Sequence, residues 1–184
     1  MESKAKLAGH PIHPMLIVLP LGLLSAAVLF DIIRMLTGNE ALAEVSFWNI
    51  AAGIVGGLAA AVFGLIDWLA IPQGTRAKQV GLMHGVGNVV VVALFAVSWI
   101  LRLNEPGYVP GTLAFVLALA GVLLALVTGW LGGELVDRLG VGVDTGANLN
   151  APSSLSGKPA HPSAEGRGAA ADPYSPRPVP PGRR

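Results

Sequence analysis

Four stretches of the chain carry no charge and are almost wholly apolar: residues 14–30, 45–66, 79–101 and 106–133. A helix needs about 20 mostly apolar residues to cross the hydrocarbon core of a bilayer. In lipid, backbone N–H and C=O groups must be satisfied within the segment, so each stretch is expected to be a helix. The first is short but extends through Asp31 and Arg34 to Leu36, where charges reach the interface. Ser25-Ala26-Ala27 imitates a signal-peptide cleavage site, yet the apolar run continues past it and Pro14 and Pro20 are unusual in such a segment, so the span is read as uncleaved. The predicted fold is therefore all-α: an integral membrane four-helix bundle, with spans near 14–36, 46–70, 80–102 and 110–133 inside a domain over 14–143. Residues 1–13 make a lead-in. Residues 151–184 hold eight of the 14 prolines and few large apolar side chains, and are expected to be a disordered tail.

The polar positions at the span ends orient the bundle. Lys4, Lys6, Arg76, Lys78 and Arg138 fall on one side, against Arg34 and Arg102 on the other. The excess of Lys and Arg predicts both termini in the cytoplasm, with the protein multi-pass in the inner membrane. Trp48 and Trp99 fall at the outer face, and Trp68 and Trp130 at the inner one, as an aromatic belt requires. Small residues four apart, such as Gly53/Gly57, Gly81/Gly85 and Gly129/Gly133, allow close helix approach within a bundle or across a homodimer.

Composition narrows the classes. Apolar residues make up 53% of the chain and charged ones 12%, about half the charged share of a soluble domain. Such a chain cannot cover a water-facing surface. A net charge of +1 leaves no basic field for nucleic acid, and the absence of cysteine removes disulfides and thiolate sites. No phosphate loop, nucleophile elbow or paired catalytic carboxylate is present, so no catalytic residues are assigned and the chain is expected to be non-enzymatic.

The ionisable residues gather at the cytoplasmic face. His10 and His13 precede the first span, Asp67 ends the second, His84 begins the third, and Glu134 closes the fourth. Charged or titratable groups at membrane depth are costly and mark functional sites by default. Imidazoles with carboxylates suit zinc, iron or copper, so His10, His13, His84, Asp67 and Glu134 are the candidate metal ligands. Haem iron between His84 and either His10 or His13 is the cofactor alternative. The other reading is a scaffold or assembly subunit in which these residues only tie helices together, His84 with Asn88 among them. Proton-coupled transport through Asp31 or Asp67 is a third. Asp31 with Arg34, and Glu134 with Arg138, stand three and four residues apart and are expected to form local ion pairs.

Gly9-His10-Pro11-Ile12-His13-Pro14, Leu19-Pro20-Leu21-Gly22, Phe30-Asp31, Gly64-Leu65-Ile66-Asp67, the His84–Asn88 pair and Gly129-Trp130-Leu131-Gly132-Gly133-Glu134-Leu135-Val136 together resemble a bacterial membrane family catalogued as a domain of unknown function (number 2231). The resemblance runs from about residue 9 to 143. It implies a four-span membrane protein, with His10, His13, Asp31, Asp67, His84 and Glu134 at motif positions. It also implies a redox setting, since some relatives look fused or adjacent to Rieske-type iron–sulfur modules, so a membrane redox partner is expected.

Overall fold

A computed structural model of the chain describes residues 1–160; of the tail predicted over 151–184, residues 161–184 lie outside the described residues. The backbone begins with a two-strand hairpin, β1 (Lys6–Leu7) and β2 (His10–Pro11), turned at Ala8 and Gly9 with positive φ. Helices follow: α1 (Ile12–Leu16), α2 (Val18–Thr37), α3 (Ala41–Ala70), α4 (Arg76–Arg102) and α5 (Thr112–Gly133), the last running into a π-helical turn at Glu134–Arg138. Pro20 has no N–H to offer the carbonyl of Leu16, and the first span breaks at Ile17 into α1 and α2. Gly38 ends α2 in the left-handed conformation (φ 71°), its N–H returning to the Arg34 carbonyl. Thr75 caps α4 by accepting from the Lys78 N–H.

The spans run up, down, up and down, with α2 and α4 diagonal to each other and each packed on α3 and α5. Each span has a stretch of mean hydropathy between 2.0 and 2.5 in which only 22% of residues are buried. An exterior that apolar is covered by lipid, and the buried minority forms the seam between helices. Leu24, Ala27, Val28, Ile50, Val91, Phe95 and Ala118 make the core.

The two helical hairpins are built alike, a likeness that hydropathy alone does not reveal. Leu24, Ala27 and Asp31 on α2 are matched 71 residues later by Phe95, Ser98 and Arg102 on α4, all six buried. Ser46, Ile50 and Gly53 on α3 are matched 68 residues later by Ala114, Ala118 and Gly121 on α5, again all buried. The packing repeats as well. A Cβ on Gly53 would lie 2.6 Å from Leu24, and one on Gly121 2.7 Å from Phe95, so each glycine admits the large side chain at the matching site of its own hairpin. Of the small-residue pairs, Gly53, Gly57 and Gly81 face helices or side chains inside the bundle, whereas Gly85 and Gly129 meet nothing within 4 Å.

Residues 145–160 belong to a second, separate unit. They are mostly exposed, with one 3₁₀ turn at Ser154–Ser156, and Asn148 donates to the carbonyls of Gly146 and Ala160.

Candidate functional site: the paired positions of the two hairpins

His13 and His84 also obey the 71-residue match, and they meet at the end of the bundle that holds the N-terminal lead-in. Their rings stand edge to face, 6.3 Å between centres and 84° between planes. The His13 Nδ1 bonds the carbonyl of Ala60 at 2.8 Å, and the His84 Nδ1 bonds that of Thr128 at 2.8 Å. Ala60 and Thr128 are themselves matched positions, and so are Gly64 and Gly132, against which the two rings lie. A Cβ would come within 2.9 Å of His13 at Gly64 and 3.1 Å of His84 at Gly132. The absent side chain is what seats each imidazole over the carbonyl. A carbonyl only accepts, so each ring donates from Nδ1, which in the neutral tautomer leaves the lone pair on Nε2.

Beyond that the hairpins diverge. Asn88, one turn after His84, donates from Nδ2 to the His84 Nε2 at 3.1 Å and to the His84 carbonyl at 3.0 Å. Its Oδ1 accepts from the Thr128 hydroxyl at 3.0 Å. The matching position in the first hairpin is Ile17, and no hydrogen bond to the His13 Nε2 occurs among the described residues.

The five residues expected to share a metal lie at one end of the bundle but do not converge. Among the described residues no three His, Asp or Glu side chains come close enough to hold one ion. Asp67 turns to the lead-in, accepting from the Ser3 hydroxyl at 2.8 Å, the Lys4 N–H at 2.7 Å and the Ala5 N–H at 3.3 Å. Its carboxylate fixes the strap that carries His10 and β2. His10 itself is exposed on that strand. Glu134 pairs with Arg76 across helices at 2.6 Å, which replaces the expected local pair with Arg138. Outside the spans, Lys6 bridges Glu2 and Asp144; the Asp144 carboxylate first, and Glu2 second, hold its ammonium above the ordinary lysine range.

The opposite end holds the largest correction. Asp31 does not pair with Arg34. It accepts two bonds from Arg102, Nη1 to Oδ1 at 3.1 Å and Nη2 to Oδ2 at 2.8 Å, and both side chains are 0% exposed. Ser46 and Ser98 accept from the same guanidinium at 3.0 and 3.2 Å, and Ser98 passes its own proton to the Ala114 carbonyl at 2.7 Å. Arg34 reaches Glu40 instead, at 3.5 Å. Asp31 and Arg102 each lie 18 residues beyond their hairpin's histidine, roughly 27 Å along a helix, so the two polar pairs stand near opposite faces of a core about 30 Å thick. Trp99, Phe47 and Tyr108 stack beside the ion pair's end, with centres 5.2 and 4.0 Å apart.

No solved structure matches the chain. A glycerol-3-phosphate acyltransferase of Rhizobium meliloti (strain 1021) is 34% identical over 106 residues, covering 56% of this chain and 49% of that protein. The chain thus spans about half the length of the curated relative it matches. The model of one membrane family covers residues 9–145, which takes in both hairpins, both histidines and the buried ion pair. The chain belongs to that family, the predicted membrane proteins described as DUF2231.

Proposed function

We propose that this is a non-enzymatic protein of the cytoplasmic (inner) membrane, with both termini in the cytoplasm, whose His13–His84 pair holds a transition-metal ion or a haem iron for electron exchange with a membrane redox partner. The observation that carries the reading is the anchoring of both Nδ1 atoms on backbone carbonyls. Metal-bound histidines characteristically donate their second nitrogen in this way, which fixes the ring and leaves Nε2 as the ligand. Two rings opposed across one ion at about 2.0–2.1 Å per bond span roughly 6–6.5 Å between centres, against about 5 Å in a tetrahedral site. The 6.3 Å separation supports that span. Asn88 must give up its bond to the His84 Nε2 for the ligand to enter.

A second reading, favoured by that same Asn88 bond, is a scaffold in which the histidines only tie helices. Acyl transfer, named for the Rhizobium relative, gains no support from buried polar groups that are paired with one another. Proton-coupled transport meets the same objection at Asp31 and Asp67.

Elemental analysis and the visible spectrum of the purified full chain test the proposal. A metal near one per chain, or a Soret band, is expected in the wild type and in Asn88→Leu, and is expected to vanish in His13→Ala and His84→Ala. Metal-free, colourless wild type whose His84→Ala variant only melts earlier would establish the scaffold instead.

A further inference from the structure

Lys78, at the terminal end of α4, is 7% exposed, and no carboxylate lies within 4 Å of it among the described residues. Its ammonium donates to the Trp68 carbonyl at 2.7 Å and sits 3.8 Å from the centre of the Trp68 ring. The indole N–H returns a bond to the Lys78 carbonyl at 3.1 Å. Carbonyl and ring are neutral groups that offset part of a buried charge without cancelling it. The α3 C-terminus, whose Trp68 carbonyl the ammonium touches, contributes about −0.5 charge, which leaves part of the lysine's charge unmatched.

That charge borders an open groove of about 300 Å³ lined by Trp68, Gln73, Thr75, Lys78, Gln79 and Leu82. Gln73 and Gln79 are exposed, and their amides have no partner among the described residues. The Thr75 hydroxyl is already spent on the Pro72 carbonyl. Away from the loop, the groove continues into an exposed apolar strip on α4: Leu82, Val86 and Val89. A cation, two amide donors, an indole and an adjoining lipid-facing strip match an anion tethered to an acyl chain. We propose that this groove binds the phosphodiester headgroup of a phospholipid, with phosphate oxygens on the Lys78 ammonium and the Gln73 and Gln79 amides, and one acyl chain along Leu82 and Val86. The site is independent of the histidine pair.

Native mass spectrometry of the detergent-purified full chain, titrated with dihexanoyl phosphatidylglycerol or with inorganic phosphate, reads the two sources separately. One phospholipid per chain is expected to bind saturably, with inorganic phosphate binding far more weakly. Lys78→Met is expected to weaken the lipid about tenfold or more, the scale of a lost charge-assisted hydrogen bond, while Lys78→Arg stays near wild type. The double variant Gln73→Leu/Gln79→Leu leaves the buried lysine in place and is expected to weaken binding several-fold. It decides the matter where Lys78→Met does not fold. No saturable lipid, unchanged binding in both the lysine and the glutamine variants, or inorganic phosphate binding as tightly as the lipid would each overturn the assignment.

Discussion

At each end of the bundle, equivalent positions of the two hairpins face each other across its centre, but the occupants obey different rules. At one end they are identical, His13 and His84; at the other they are opposite in charge, Asp31 and Arg102. Two imidazole rings tolerate an edge-to-face approach, because a ring's positive edge meets its neighbour's negative face. Two identical charges sealed from water could not share the far end. A repeat that brings matching positions together must therefore diverge wherever the side chains ionise and are buried, and is free to stay the same wherever they remain neutral. The serines around Arg102 follow the same logic: Ser46 and Ser98 have Ala114 and Ala27 as their counterparts, so hydroxyls occur where the guanidinium needs acceptors.

The comparison is broken most forcefully at the charged end. Arg102→Met strands a buried carboxylate and is expected to cost roughly 3–5 kcal/mol, read as the loss of thermal stability in detergent. Asp31→Leu combined with Arg102→Met is expected to recover most of it. A loss below about 1 kcal/mol for the single variant would show that water reaches Asp31.

The likeness of the hairpins is tested next. Gly53→Ala and Gly121→Ala each place a methyl within 2.7 Å of a core side chain. Both are expected to destabilise by about 1–3 kcal/mol, the usual cost of overpacking, and by similar amounts. A loss confined to one hairpin would show that the repeat is sequence without shared packing. A smaller effect belongs to the histidine end. Asn88→Leu removes the ties to His84 and Thr128 and is expected to cost about 0.6–2 kcal/mol in the same melt.

The weakest effect is a pH response of the lead-in. The Lys6 pKa is raised above 10.5 in the folded chain, first by Asp144 and then by Glu2. A group raised on folding contributes fully below its unfolded pKa and loses that contribution as pH climbs through the folded value. Protease resistance of residues 1–11 is therefore expected to stay level across neutral pH and to fall only in alkali. A fall already at neutral pH would show that the Lys6 bridges do not fasten the lead-in.

The four spans were legible because hydropathy is a property of each stretch alone. The polar network was not. Three-residue spacing proposed Arg34 for Asp31, whereas the partner stands 71 residues away on a diagonal helix, a distance that helical periodicity does not address. The partners of Asp67 lie more than 60 residues upstream, and two of the three, the N–H groups of Lys4 and Ala5, have no side-chain signature. The repeat escaped notice since most matched positions differ in identity, as Leu24 and Phe95 do, and two offsets, 71 and 68, replace a single period. The meeting of His13 and His84 was legible in part. Span order places both at one face, but only the glycines at 64 and 132 bring the rings together.

The buried ion pair has a consequence for biogenesis. Asp31 enters the membrane with the first hairpin, and its counter-ion is not synthesised until 71 residues later. Throughout that interval the nascent hairpin holds an acid whose counter-ion has not yet been made. Burial of that acid is compensated only when the third span delivers Arg102. A chain truncated after the first hairpin would therefore carry Asp31 without its partner.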